Sequence, residues 1–210
     1  MRWRPSAGAA ALLLALLAGC AGGEPAARAA SAPETPASGF ESGFRDVEAV
    51  GQGLVLPLPD ADGWRHDGRE RQSWVATHAG TRSRLLARAW RATEVVRPDD
   101  CERALRVFRP DLPRHTPELQ IEARQLTVAG DFSAQLRTGL ERARPGPLDG
   151  HALLFASDGR TCLCLAYSTL VSEPDAARRL AERLALMARA FERVRRPAIE
   201  GRVEAPPAQP

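Results

Sequence analysis

The chain contains no lysine and no asparagine, and only two isoleucines, Ile121 and Ile199. Codons for these residues are AT-rich, so a GC-rich genome is the simplest cause. The lack of lysine excludes Schiff-base chemistry, lysine general bases and any Walker-type phosphate loop. No HExxH or comparable ligand spacing joins His66, His78, His115 and His151, so the sequence nominates no metal site. No GxSxG elbow occurs, and neither Ser157 nor Ser168 has an evident partner base. The cysteines form no CxxC pair. Nor is there a basic block: the arginines are interleaved with acids, and the formal net charge of +3 falls to +1 (3 − 2) without Arg2 and Arg4. That distribution reads as a solvated surface and argues against nucleic acid as a partner.

What is present begins at the N-terminus. Met1-Arg2-Trp3-Arg4 is followed by an almost purely apolar stretch over residues 9–18, with Leu12, Leu13, Leu14, Leu16 and Leu17. This has the charge and length of a secretory signal, and it falls short of the ~20 apolar residues that span a bilayer. Leu17-Ala18-Gly19-Cys20 then resembles the lipobox of bacterial lipoproteins. The resemblance implies diacylation of the Cys20 thiol, cleavage before Cys20 and acylation of the new amino group, with loss of Arg2 and Arg4. Several acyl chains hold a protein at a membrane where one holds it only marginally. Ala21 is not the Asp that retains lipoproteins at an inner membrane. The expected location is therefore the periplasmic face of an outer membrane, or the outer face of the plasma membrane in a cell with one membrane.

Residues 1–19 are thus expected to be a signal peptide, and residues 20–39 a lipidated cysteine and a disordered tether. The tether is Ala, Gly, Pro, Ser and Glu, too poor in apolar surface to offset its ordering entropy. Such a flexible segment spans roughly 25 Å. Residues 40–196 are expected to form a single domain with a real core, and residues 197–210 a disordered Pro-rich tail.

Within residues 40–196 the patterning is mostly of period two. Leu54, Leu56 and Leu58 alternate before a Pro59-Asp60-Ala61-Asp62-Gly63 turn. Trp74, Ala76 and His78 alternate next, then Leu85, Ala87 and Ala89. Ile121, Ala123 and Gln125 start a later strand, and Phe132, Ala134, Leu136 and Leu140 another. His151, Leu153 and Phe155 lead to Asp158-Gly159, the strongest hairpin signal in the chain. The returning strand carries Leu163, Leu165 and Tyr167 on one face and Cys162, Cys164 and Ala166 on the other. One helix is predicted after Pro98, with Asp99 or Asp100 as N-cap and Cys101, Leu105 and Phe108 on its buried face. A second is predicted from a capping box at Ser172-Glu173-Pro174-Asp175. Leu180, Leu184, Met187, Phe191 and Val194 give it one apolar stripe about 20 residues long, suited to lying across a sheet.

The fold class that follows is α+β: an antiparallel sheet of about six strands flanked by helices, closed by a long C-terminal amphipathic helix. This order, together with Gly53-Leu54-Val55-Leu56-Pro57-Leu58-Pro59 and the following Trp64, resembles the PsbP-like domains, including lipoproteins of the LpqN and DcrB type. The resemblance implies a curved sheet sandwiched by helices. It implies accessory and binding roles rather than an activity.

Once Cys20 is assigned to lipid, Cys101, Cys162 and Cys164 remain in an oxidising compartment. Cys162 and Cys164 are neighbours along one strand face, with Cβ atoms nearly 7 Å apart, too far to bridge. Cys101 on its helix can meet either, so a disulfide of Cys101 with Cys162 or Cys164 is expected. A three-thiolate redox or metal site is the sharper alternative. His78 and His151 lie on strand faces beside apolar residues and are expected to be hydrogen-bonded structural histidines; a hydrolase built on one of them is the enzymatic alternative. Asp131, Asp149 and Asp158 are read as turn residues bonding their own backbone, and Trp64, Trp74 and Trp90 as packing. The functional expectation is a membrane-anchored envelope lipoprotein, non-catalytic, with no metal and no cofactor. Its partners would be the membrane, through the lipid, and an envelope protein or small apolar ligand.

Overall fold

In the computed structural model the described residues are 40, 43–114, 117–141, 147–172 and 175–197. Cys20, the signal peptide, the tether, His115 and residues 198–210 lie outside them. Each run of alternating residues forms a strand. Seven make one antiparallel sheet: β3 (Trp64–His66), β4 (Trp74–His78), β5 (Ser83–Arg91), β6 (Gln120–Val128), β7 (Phe132–Glu141), β8 (Leu148–Ser157) and β9 (Thr161–Val171). Their order across the sheet is β3-β4-β5-β9-β8-β7-β6. The remaining two, β1 (Phe44–Ala49) and β2 (Leu54–Pro59), pair with each other as an antiparallel ribbon outside that sheet. Two strands escaped the sequence reading. β3 is three residues long, too short to display a period, and β1 alternates weakly among charged residues.

The helices cover opposite faces. α1 (Pro98–Phe108) lies over Leu86, Leu153, Phe155, Cys164 and Ala166, while α2 (Ala176–Glu192) joins the ribbon over Leu85, Leu154, Leu163, Leu165 and Tyr167. β8 and β9 are therefore buried on both sides. α2 comes so close to the sheet that a Cβ on Gly150 would stand 2.6 Å from Leu180 Cδ1. Among the described residues no helix is long and apolar enough to cross a membrane.

Several local expectations differ from the structure. The N-cap of α1 is Arg97, not Asp99 or Asp100. Pro98 takes the first helical position, where its missing N–H costs nothing, and Asp100 reaches back to accept from the Arg97 N–H at 2.9 Å. Phe108 leaves the buried stripe and stands 62% exposed. The capping box at Ser172 does not form. The N-cap of α2 is Asp175 in the left-handed region, without a side-chain cap bond, and the Ser172 hydroxyl accepts instead from Arg82; Glu173 and Pro174 lie outside the described residues. In β6 the alternating set Ile121, Ala123, Gln125 faces outward, and Leu126 and Val128 pack inward. β6 is an edge strand, so its period-two pattern is carried by whichever face meets the core only near its end.

The α2 stripe is as expected: Leu180, Leu184, Met187 and Phe191 are buried, and Val194 is buried just past the helix. Arg195 then closes the chain against β2, exchanging backbone bonds with Val55 at 2.7 and 3.1 Å. Because Phe191 is fully buried, Phe191→Ala is expected to cost about 3–5 kcal/mol, measurable by urea unfolding; a loss below 1 kcal/mol would mean that α2 does not dock through this face.

Candidate functional site

The thiols meet where α1 crosses β9. Cys101 is bonded to Cys162, 61 residues away, with Cα atoms 5.5 Å apart. Cys164, next on the same strand face, is a free buried thiol. Burial pushes its proton affinity well above the ordinary thiol value, outweighing the nearby Arg88 charge. None of the three sulfurs is exposed, and a thiol that stays protonated is a poor nucleophile and a poor ligand. Among the described residues no group of three or more His, Cys, Asp or Glu is placed to hold a metal ion.

His78 heads a buried polar chain. Its Nδ1 accepts from the Thr81 N–H at 3.2 Å, which puts the ring proton on Nε2, and Nε2 donates to Asp60 Oδ2 at 2.9 Å. The Thr81 hydroxyl, 2.9 Å from Nδ1, continues to Ser83 Oγ at 2.8 Å, and Ser83 reaches Tyr167 OH at 3.0 Å. Arg183 of α2 donates into the same cluster, to the Thr81 carbonyl at 3.1 Å. Gly63 makes the arrangement possible, because a Cβ there would stand 2.0 Å from His78 Nε2. Phe40 and Trp64 pack against the ring, with centroids 5.5 and 5.3 Å away. With both nitrogens engaged and aromatic rings over it, His78 ties the Asp60 turn to the sheet and offers no open face to a substrate.

His151 is buried on the α1 face, opposite Ser168 in the register with β9 and opposite Gly139 on β7. Its ring lies over Gly139: a Cβ there would stand 2.9 Å from Nε2 and 3.0 Å from the Leu119 carbonyl. His66 stacks on Trp74 at 5.7 Å. Trp64 and Trp74 are core residues, and the Trp64 indole donates to the Pro59 carbonyl at 3.1 Å. Ser157 braces the β8–β9 turn, donating to the Val96 carbonyl and accepting from the Gly159 N–H, both at 2.8 Å. Asp158 behaves as a turn residue, accepting from the Arg160 and Thr161 N–H groups, and Asp131 also lies in a turn.

Asp149 does not. It sits on β8, directly opposite Glu141 of β7. The two help to line an open cavity of about 170 Å³ whose rim includes Arg84, Arg109, Asp111 and Ser168 and whose floor includes Leu86 and Ala166. The Asp149 carboxyl is pushed up to about 6, first by burial and then by the facing Glu141 charge; a bond from the Gly150 N–H recovers part of this. Arg109 is fully committed, holding Asp111 through two nitrogens at 2.8 and 2.9 Å and Glu70 through the third at 3.3 Å. The Asp111 hydrogen bonds raise its guanidinium pKa further against the pull of burial. A carboxyl of raised proton affinity beside an open, mainly polar cavity makes this a candidate binding site. Sequence reasoning missed it because a cross-strand pair is visible only once the register is known; the signal was the Glu141…Asp149 spacing around a hairpin.

No family model and no curated sequence matches the chain. Among solved structures it is similar to a point mutant of the protein Mog1, at 9% identity and a TM-score of 0.50, over 72% of this chain and 94% of that one. The fold is Mog1-like. The Ran-binding protein Mog1p of Saccharomyces cerevisiae matches at 10% identity and a TM-score of 0.49, over 73% of this chain and 95% of that one. LpqN of Mycobacterium tuberculosis, described as involved in cell envelope biogenesis, matches at 17% identity and 0.41, over 68% and 82%. At these identities the likeness is one of architecture and assigns no residue a role.

Two measurements follow. Alkylation of the denatured, unreduced protein should label Cys164 and spare Cys101 and Cys162, and Cys162→Ala should cost about 4 kcal/mol for a loop of this length; labelling of all three thiols would remove the disulfide. Asp149 binds its proton more tightly folded than unfolded, so its contribution to stability falls as pH rises from about 4 through about 6. Asp149→Asn should therefore raise Tm at pH 7.5 and have little effect at pH 4.5. An equal gain at both pH values would show that the carboxyl is not strained.

Proposed function

We propose that this protein is a membrane-anchored lipoprotein of the cell envelope whose single domain, residues 40–196, serves as a non-catalytic binding module. The observation that carries the reading is the Cys101–Cys162 disulfide. Structural disulfides belong to oxidising compartments, and this one accords with the export signal read in residues 1–19. Cys20 is the lipidated residue in this reading, and residues 21–39 hold the domain clear of the headgroups. The cell has its copy on the periplasmic face of the outer membrane, or on the outer face of the plasma membrane where there is only one.

The binding half draws support from how the reactive groups are used. His78 is enclosed by its own hydrogen-bonded chain, and the three thiols are inside the α1–sheet interface. The cavity beside Asp149 has a charged rim, which suits a polar group on a ligand better than a wholly apolar molecule. An envelope protein is accordingly the favoured partner, ahead of a small apolar ligand.

The experiment is fractionation of cells expressing the full chain. The wild-type protein should incorporate labelled palmitate and stay with membranes through a high-salt wash. Cys20→Ala should lose the label and leave the membrane, with an unchanged circular dichroism spectrum and Tm. Retention of Cys20→Ala in the washed membrane would overturn the anchor.

A further inference from the structure

The α1 face of β5 ends in a partly exposed group at the margin of the core, against which Trp90 packs. Arg84, Leu86, Arg88 and Trp90 alternate onto one side of the strand, and Leu86 is the member that packs fully against α1. Beyond it the Arg88 guanidinium is flanked by two aromatic rings, 5.4 Å from the Trp90 centroid and 5.0 Å from that of Phe108. Phe108 is 62% exposed and its helix neighbour Val107 is 75% exposed. Large apolar side chains left outside in a cluster mark interaction surfaces more often than isolated ones do.

The charge is as informative as the apolar area. The neighbouring Arg106 and Arg109 are each held by carboxylates, Glu102 in one case and Asp111 with Glu70 in the other. Among the described residues no carboxylate pairs with Arg88; its hydrogen bond is a 3.4 Å contact to the Gln72 side-chain oxygen. Rings lying over a guanidinium do not use its in-plane N–H donors, so apart from the long Gln72 contact those donors remain available to a planar acceptor. Arg, Trp and a bulky aromatic in one partly desolvated cluster are the residues that dominate binding energy at protein interfaces.

We propose that Arg88, Trp90, Phe108 and Val107 form a docking surface for a partner-protein segment that presents a carboxylate next to an apolar side chain. The carboxylate pairs with the outward edge of Arg88, and the apolar side chain covers Phe108 and Val107. The inference rests on the binding role above and is independent of the anchor. A protein segment fits better than an anionic lipid surface: the neighbouring arginines are already held by Glu70, Glu102 and Asp111, which leaves the Arg88 edge as a match for a single carboxylate rather than for a plane of headgroups.

The test uses the immobilised full-length chain and phage-displayed random dodecapeptides, with selected peptides measured by fluorescence polarisation. Selection should enrich peptides with Asp or Glu within two positions of Leu, Phe or Trp. Arg88→Gln and Phe108→Ser should each weaken them at least tenfold without lowering Tm, and Ile121→Ser, an exposed control on β6, should leave them unchanged. Peptides that bind equally well to both patch variants would leave a binding role in place and remove this surface. Failure to enrich any peptide, with no vesicle binding either, would remove both. Phe108-dependent sedimentation of the Cys20→Ala chain with phosphatidylglycerol vesicles, without peptide enrichment, would replace the protein partner with a lipid surface and overturn the inference.

Discussion

β8 and β9 lie at the centre of the sheet and carry apolar side chains on both faces, so neither face can be left to water. Leu154, Leu163 and Leu165 require one cover; Leu153, Phe155 and Ala166 require another. A strand buried on one side only could tolerate polar residues at alternate positions, but here the requirement falls on nearly every residue. The long stripe of α2, reinforced by the β1–β2 ribbon, answers one side. The shorter α1 answers the other with only Cys101 and Leu105 fully buried, and its attachment is completed covalently through Cys162. The weaker cover is the one that carries the staple.

That asymmetry also places the chemistry. α1 is too short to cover the whole of its face, and the uncovered margins hold the polar cavity at Glu141 and Asp149 and the exposed cluster at Arg88. On the α2 side the polar groups are enclosed instead, with His78, Thr81, Ser83, Tyr167 and Arg183 satisfying one another inside the core. The absence of lysine sharpens both regions. Every ammonium that could have neutralised a carboxylate flexibly is replaced by a guanidinium with fixed directions. Some arginines, such as Arg109, are held by carboxylates, and Arg88 lies over two aromatic rings instead.

Much of the fold was legible from residue spacing. The alternations at Leu54–Leu58, Trp74–His78, Leu85–Ala89 and Phe132–Leu136 are strands with the anticipated inward faces, and Asp158-Gly159 turns β8 into β9. The failures have local causes. At the start of α2, Arg82 takes the Ser172 hydroxyl that the helix N-terminus would have used. At β6, an edge position allows apolar Ile121 to face outward. Asp149 resembled a turn residue because it follows a Pro- and Gly-rich stretch, yet it lies within the strand.

The sequence by itself determined the α+β class, the stripe that makes α2 a sheet-covering helix, and the geometric incompatibility of Cys162 with Cys164. These depend on periods of two and 3.6 residues and on distances along one strand, which are properties of local chain geometry. Only the tertiary structure decided that Cys101 reaches Cys162 rather than Cys164, that Glu141 opposes Asp149, and that Phe108 meets Arg88 outside the core. Each of these depends on the register between strands or on where a helix crosses them. A shift of two residues leaves every side chain on the same face while changing every neighbour.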